Sequence, residues 1–343
     1  MFALSIIKAI INEYILGFFW YERKPIRTSF LNCKTLFTHF SVNKWVQFPI
    51  INSILSRILP RPKIIYERVI IPFIDNVNCC LDIANPDANI NYLKGTILFC
   101  PGFSGSVKSS YCNWFTDLAT KRGYRVIIYN RRAHVPESYS DIYPLHYEPV
   151  DLEVVLKWIH TKYPDSKLYG VGVSAGGNLL MRHAHVSSIK FEKIVSLCNG
   201  YNIKNIVYHV ETKSFVNKLL MGFIREILEN VKGARGIGRF YEKFSELENK
   251  ILKTYCSSQT FLWDYYSYSS CSNHIKYLDM PVLCINTLDD PMIPYNEEYY
   301  INMIKENPNI SVILTSHGGH VGYIDREWKC NWWCENALNF VGA

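Results

Sequence analysis

The chain has 343 residues, of which 48% are hydrophobic, and a formal net charge of +7 at pH 7. This length and composition allow a large buried core and exclude intrinsic disorder and collagen-like or repeat architecture. The positive charge is spread over segments of mixed sign, so we expect no nucleic-acid partner; an anionic membrane surface fits it slightly better.

The first twenty residues, MFALSIIKAIINEYILGFFW, are the most apolar stretch of the chain. Lys8 and Glu13 near its middle would be costly inside a bilayer, so a helix in the membrane interface fits better than a spanning one. We expect residues 1–24 to form an apolar membrane-associating helix, with residues 1–20 on the membrane surface. The alternative is a helix docked on the following domain. The basic residues of the following YERKPIR favour a catalytic domain on the cytoplasmic side.

Cysteine usage also indicates a reducing compartment. Several of the eleven cysteines lie inside apolar runs, among them Cys100, Cys198 and Cys284. That placement is typical of small buried thiols rather than of a disulfide framework. Cys330 and Cys334 have the spacing of one helical turn, but no second ligand pair accompanies them, so we predict no metal site.

From residue 63 onward, short apolar runs of strand length alternate with segments of helical periodicity. The predicted strands are 63–73, 78–84, 95–102, 124–130, 167–174, 191–199, 280–286 and 310–316. The predicted helices between them are 109–123, 149–164, 175–186 and 296–307. Such alternation predicts an α/β domain over residues 63–343, with a mainly parallel central sheet and helices on both faces.

The alternation is interrupted once, between Asn199 and Leu278, where only helical patterns occur. An insertion of this length between two sheet strands predicts a helical cap, residues 200–278, over the carboxyl edge of the sheet. That edge is where open α/β sheets bind ligands.

The stretch LYGVGVSAGGNLLM, residues 168–181, has two interpretations. Gly170, Gly172 and Gly176 approximate a dinucleotide-binding fingerprint. The spacing is one residue too long, however, and the stretch follows a middle strand with no acid at the end of the next strand. The same residues contain Gly-x-Ser-x-Gly around Ser174, which favours a nucleophile.

A nucleophilic serine on a sharp strand-to-helix turn needs almost no side chain two residues to either side, and glycines stand at both positions. The turn lifts the Ser174 hydroxyl above the sheet. It also places the backbone N–H of Ala175 at the start of a helix, where the helix dipole favours an oxyanion. We predict a second oxyanion donor in FCPGFSGS, the backbone N–H of Phe103, because Gly102 lets that loop turn tightly.

A base and an orienting acid should follow later strands, in the order serine, acid, histidine. The strand PVLCIN is followed by TLDDPMIP, and the strand ISVILTS by HGGHVGY. We prefer Asp290, which begins an Asp-x-x-x-Pro turn, to Asp289, which would cap or solvate the turn. We prefer His320, which follows two glycines, to His317, which would brace the loop.

Together these phrases resemble the α/β-hydrolase superfamily, and more narrowly its AB hydrolase 4 subgroup, from about residue 75 to residue 322. The resemblance rests on LFCPGFSGS, YRVIIYNRR, DLEVVLKWIHTKYP, YGVGVSAGGNLL, YYSYSS, PVLCINTLDDPMIP and TSHGGHVGY. It implies a catalytic triad of Ser174, Asp290 and His320. Two departures are that Ala133 stands where the family usually has glycine, and Asn76 where it favours glycine after Asp75.

The resemblance and the residues predict a serine hydrolase that cleaves carboxylic esters through an acyl-enzyme, without a metal or organic cofactor. The subgroup contains membrane-anchored phospholipases, acylglycerol lipases and short-chain esterases. The apolar N-terminus, a helical cap rich in Phe, Leu, Ile and Tyr, and the modest positive charge favour a lipid ester at a membrane surface as substrate, such as a phospholipid or monoacylglycerol. The alternatives are a short-chain carboxylesterase or acyl-protein thioesterase on soluble substrates. A non-catalytic binding protein of the same fold is a further alternative.

Overall fold

The architecture is that of a computed structural model, which describes residues 28–31, 40–43, 45–46, 48–87, 89–90, 92–141, 149–255 and 261–343. The apolar helix predicted at residues 1–24 lies outside these ranges. Within them, no helix has the length and hydrophobicity that crossing a membrane requires.

One sheet of nine strands organises the described part of the chain. The strands are β1 Thr28–Leu31, β2 Glu67–Pro72, β3 Asn78–Ala84, β4 Gly95–Cys100, β5 Tyr124–Asn130, β6 Leu168–Val173, β7 Lys193–Leu197, β8 Val282–Thr287 and β9 Ile310–Thr315. They lie in the order β1-β9-β8-β7-β6-β4-β5-β3-β2. The strands from β9 to β5 in this order are parallel, and β1, β2 and β3 add antiparallel edges. The predicted mainly parallel sheet is confirmed.

Helices cover both faces of the sheet. They are α1 Pro49–Ile58, α2 Ser110–Lys121, α3 Pro149–Lys162, α4 Ala175–His183, α5 Ile203–Glu211, α6 Ser214–Leu228, α7 Phe244–Tyr255, α8 Leu262–Ser269, α9 Glu297–Glu306 and α10 Asn331–Gly342. On one face, α2 and α10 pack through Phe115 and Trp333, whose rings stack at 5.7 Å. Adjacent β4 residues, Leu98 and Phe99, belong to the cores on opposite faces, because successive strand side chains alternate.

Helices α5 to α8 occupy the place of the predicted cap between β7 and β8, and the described part of this insertion contains no strand. Their apolar sides join the core beside α4, with Val207, Leu220 and Leu247 buried. The insertion is therefore packed on the sheet domain rather than extended away from it.

Residues that precede position 63 belong to the same fold, although we expected the hydrolase domain to begin there. Strand β1 pairs antiparallel with β9, and α1 packs against α2, where the Ser110 hydroxyl donates to the Ser56 carbonyl at 3.0 Å. The signals for these elements are weak. Strand β1 has only four residues, and α1 begins after Phe48, which offers no side-chain cap.

Candidate active site

Ser174 lies at the turn between β6 and α4, where sequence analysis placed a nucleophile. Its backbone angles are φ 52° and ψ −117°, a region that residues other than glycine rarely adopt. Its backbone N–H donates to the Leu197 carbonyl at the end of β7, at 2.7 Å. This turn directs the serine away from the sheet at its carboxyl edge.

The glycines on either side of the serine allow strand and helix to approach closely. A Cβ on Gly176 would stand 1.9 Å from the Cys100 carbonyl oxygen, and one on Gly172 would stand 2.5 Å from the Gly176 carbonyl oxygen. Both distances are far below van der Waals contact with backbone. The turn therefore cannot form with larger residues at these positions.

The structure brings together the three side chains that sequence analysis selected. His320 Nε2 lies 3.1 Å from Ser174 Oγ, and His320 Nδ1 lies 2.7 Å from Asp290 Oδ2. The second carboxylate oxygen of Asp290 accepts the backbone N–H groups of Met292 and Ile293, at 2.8 and 3.2 Å. The Asp290 side chain has no exposed surface. Its carboxylate is thus held rigidly against the imidazole, away from water.

Asp289 and His317, to which we preferred Asp290 and His320, form a second acid–histidine pair. Asp289 Oδ2 lies 3.3 Å from His317 Nδ1, and Asp289 Oδ1 accepts the backbone N–H of Gly319 at 2.9 Å. Both side chains are buried. The pair ties the loop after β8 to the loop after β9, so it braces the segment that carries His320.

Three contacts on the histidine loop were missed by sequence analysis. Ser53 of α1 accepts the backbone N–H of His320 at 2.7 Å, and Asn52 Oδ1 accepts that of Ile324 at 3.3 Å. Cys198, directly after β7, accepts the backbone N–H of Val321 at 3.4 Å through its sulfur. No motif marks these residues, because each acts through backbone of a loop distant in sequence.

Cys198 also completes a group of three potential metal ligands with Asp290 and His320, whose ligand atoms lie within 4.8 Å of one another. Burial raises the pKa of the Cys198 thiol well above its usual value, and the nearby charge of Asp290 raises it further. The Cys198 sulfur already accepts the backbone N–H of Val321, and His320 and Asp290 are bonded to each other. The group fits the hydrogen-bonded histidine loop better than it fits a metal.

The two predicted oxyanion donors belong to backbone that surrounds the serine. Ala175 is the first residue of α4, where N–H groups have no acceptor within the helix. The loop that contains Phe103 approaches from the other side, since a Cβ on Gly102 would lie 3.4 Å from Ser174 Cβ. Phe103 and Ala175 line one cavity together with Ser174 and His320.

We call this space the apolar cavity. Its volume is about 60 Å³. Cap residues and the loop after β8 supply its remaining walls, namely Gly200, Ile203, Ile206, Val207, Leu220, Phe244, Met292 and Ile293. Ligand pockets usually hold roughly 300–1,000 Å³. The cap thus covers the serine closely, with hydrocarbon facing the hydroxyl.

A larger depression of about 490 Å³, the basic groove, adjoins the apolar cavity at Phe103. Arg57, Arg61 and Lys108 lie in its wall, and so does His134.

Comparisons with known proteins agree with this architecture. A model of the alpha/beta hydrolase fold matches residues 95–232. Human phospholipase ABHD3 is 30% identical over 296 residues, which cover 79% of this chain and 70% of that protein. Monoacylglycerol lipase ABHD2 of Danio rerio is 26% identical over 282 residues, covering 75% of this chain and 65% of that protein.

Solved structures share the fold at low sequence identity. An esterase from Pyrococcus furiosus superposes with a TM-score of 0.55 at 16% identity, over 82% of this chain and 96% of its own. A carboxyl esterase from Bacillus coagulans gives 0.53 at 14% identity, over 82% and 99%. Fold and serine turn together define an α/β-hydrolase architecture. The chain belongs to the α/β-hydrolase superfamily and is of the AB hydrolase 4 type. It is an ester hydrolase.

Proposed function

We propose that the protein hydrolyses lipid esters through an acyl-enzyme formed on Ser174, with His320 as general base and Asp290 as orienting acid. The observation that carries this proposal is the continuous chain of contacts from Asp290 through the imidazole to the serine hydroxyl, at 2.7 and 3.1 Å. Such a chain is what activation of a serine at neutral pH requires.

In the first half of the reaction, His320 Nε2 takes the proton of Ser174 Oγ as the oxygen attacks the ester carbonyl. The Asp290 carboxylate accepts a hydrogen bond from the Nδ1–H group of His320. This bond fixes the tautomer of the imidazole and stabilises the imidazolium. The imidazolium then protonates the leaving alcohol. In the second half, His320 takes a proton from water as its oxygen attacks the acyl carbonyl; the bond to Ser174 Oγ then breaks, the imidazolium returns the proton to Oγ, and the acyl group leaves as a carboxylic acid.

The tetrahedral intermediate carries a negative oxygen that needs hydrogen-bond donors. We assign this role to the backbone N–H groups of Phe103 and Ala175. Ala175 adds the positive end of the α4 dipole, which strengthens its donation. No residue in this scheme requires a metal or an organic cofactor.

The apolar cavity supports an acyl group as the part of the substrate under the cap. Two relatives, phospholipase ABHD3 and monoacylglycerol lipase ABHD2, carry names that describe lipid esters. We infer that this chain shares that substrate class. The small volume of the cavity supports a second candidate, an esterase for short acyl groups on soluble substrates, an acyl-protein thioester among them.

We also propose that residues 1–20 bind a membrane surface and place the active site beside its lipid substrate on the cytoplasmic side. Flotation of the full chain with vesicles of anionic phospholipid tests the attachment. The variant Ile7→Asp/Ile11→Asp should remain in the unbound fraction, because charge on the apolar side opposes interfacial binding. Equal flotation of both proteins would refute the proposal.

Hydrolysis of p-nitrophenyl esters of increasing chain length by the purified chain, beside Ser174→Ala, tests the reaction. Activity should fall at least 10³-fold in the variant, since removal of a triad member leaves only oxyanion stabilisation and binding. The chain length with the highest kcat/KM separates the lipid hydrolase from the short-chain esterase. Activity that survives the substitution would overturn the assignment of Ser174.

A further inference from the structure

The basic groove, of about 490 Å³, lies beside the proposed active site, and the reaction scheme leaves it unused. Its walls come from the end of α1, from the loop before α2, from the loop after β5 and from α6. Phe103 borders both the groove and the apolar cavity. The two spaces therefore meet beside the predicted oxyanion donors.

The charges in the groove are unequal. Three cationic side chains, Arg57, Arg61 and Lys108, face two carboxylates, Glu226 on α6 and Glu229 directly after it. One carboxylate, Glu229, already binds Arg235, with Nε and Oε2 at 2.7 Å. The groove thus holds a net positive charge, with Glu226 as its remaining counter-charge.

The two arginines are held in place by contacts that leave their charge available. The Arg57 guanidinium lies 4.5 Å from the centre of the Phe223 ring on α6, and among the described residues no carboxylate lies within ion-pair distance of it. Arg61 donates to the backbone carbonyl of Lys108 at 2.7 Å, which fixes its guanidinium against the loop before α2. A phosphate oxygen placed between the Arg57 and Arg61 guanidinium groups would find donors that are already oriented.

Hydroxyl groups on the same wall add neutral donors. Ser104, directly after Phe103, lines the groove with a backbone φ of 56°. Ser106 Oγ accepts the backbone N–H of Lys108 at 3.3 Å, so its proton can be donated to a ligand. Cationic groups combined with hydroxyls are the donor set that protein sites use for phosphate.

The position of the groove decides which part of a substrate would reach it. An acyl chain in the apolar cavity lies on one side of Phe103, so the alcohol portion of the ester extends past Phe103 towards the groove. We propose that the basic groove is a subsite for the phosphate of a lipid head group, which makes glycerophospholipids better substrates than uncharged acylglycerols. This inference rests on the proposed ester hydrolysis at Ser174.

The test compares two lipids with identical acyl chains, a phosphatidylcholine and a diacylglycerol, in the same mixed micelles. The variant is Arg57→Gln/Lys108→Gln, and the matched control is Lys162→Gln/Lys305→Gln, which removes two exposed cations from α3 and α9. The ratio of kcat/KM for phosphatidylcholine to that for diacylglycerol should fall roughly tenfold to hundredfold in the variant, because two charged donors are lost. It should stay constant in the control. An unchanged ratio in the variant, or an equal change in both proteins, would overturn the subsite.

The source of the phosphate is tested by inhibition of phosphatidylcholine hydrolysis. Soluble sn-glycero-3-phosphocholine should raise the KM of the unmodified protein and have less effect on the Arg57→Gln/Lys108→Gln variant. If inorganic phosphate competes as strongly, the groove takes free phosphate, and the head-group assignment fails. Failure of the proposed ester hydrolysis can be distinguished from failure of the subsite. In the former case the unmodified protein would hydrolyse neither lipid and no p-nitrophenyl ester.

Discussion

The hydroxyl of Ser53 accepts the backbone N–H of His320 at 2.7 Å, across 267 positions of sequence. The same hydroxyl donates to the Pro49 carbonyl at 2.7 Å, which fixes its direction. Helix α1 thus supports the loop that carries the proposed general base. Helix α1, which precedes the predicted domain, therefore adjoins the proposed active site.

We expect Ser53→Ala to lower kcat about tenfold with little change in KM. The variant leaves the His320 N–H without a partner and lets the imidazole depart from Ser174, and small misplacements of catalytic groups are costly. Ser56→Ala is the matched control, since that hydroxyl lies on the same helix and bonds within it. Steady-state kinetics with one p-nitrophenyl ester measures the effect. Equal kcat values in the two variants would show that the contact does not position His320.

The two neighbouring aspartates should differ sharply in their kinetic effect. Asp290→Asn should lower kcat by about 10⁴, because the amide presents a donor to Nδ1 and favours the wrong tautomer. Asp289→Asn should lower kcat less than tenfold while reducing the thermal midpoint, since Asp289 joins two loops. Kinetics and thermal unfolding of both variants test this. A larger kinetic loss in Asp289→Asn would exchange the two roles.

Leu220 limits the apolar cavity from the cap helix α6. Leu220→Ala should move the preferred acyl chain to greater length, because removing the side chain extends the space above Ser174. The same substitution should lower the free energy of unfolding by about 2–5 kcal/mol. Leu252→Ala is the control, a buried cap leucine outside the cavity walls. The p-nitrophenyl ester series gives the readout, and the same shift in both variants would show a general loosening of the cap.

Glu153 on α3 should make stability fall in acid. Burial acts to raise the pKa of its carboxyl, but hydrogen bonds from Ser188, Ser187 and His183 outweigh it and lower the pKa from 4.5 to about 2. A lowered folded-state pKa gives stabilisation that is complete above the unfolded value and is lost as pH falls through the folded value.

We therefore expect Glu153→Gln to unfold about 1–3 kcal/mol more easily at pH 7 and the difference from the unmodified protein to shrink between pH 4.5 and pH 2. Urea titrations at several pH values measure it. Lys157→Gln is a control on the same helix, because the Lys157 side chain is 65% exposed and its Nζ lies 3.9 Å from Glu153 Oε1, so this surface ion pair contributes little. A difference independent of pH would refute the ionised state of Glu153.

The alternating sheet and the principal site residues follow from local signals. Apolar runs such as 95–100 and 282–287 are strands because they are buried on both faces, and parallel strands place their carboxyl ends at one edge. A serine between two glycines, an acid loop and a histidine loop therefore converge without any knowledge of the packing. The Asp-x-x-x-Pro turn that Asp290 begins is a local signal too, and it distinguishes Asp290 from Asp289.

Other features depend on tertiary contacts that sequence patterns do not encode. Ser53 and Cys198 act on loop backbone far along the chain, and the basic groove gathers cations from separate elements. The family departures illustrate the same limit. Asn76 and Ala133, which stand in place of the usual glycines, adopt left-handed backbone angles, with φ 62° and 59°. The turn geometry persists although its usual residue is absent, and tertiary structure must offset the strain.

Labelling with a fluorophosphonate, followed by mass spectrometry of the digested protein, tests the central claim most directly. The account predicts one phosphonyl adduct, on Ser174, with labelling abolished in Ser174→Ala and strongly slowed in His320→Ala, because the reagent reacts only with an activated serine. An adduct on another residue, or a Ser174 that stays unmodified while the protein hydrolyses esters, would contradict the account.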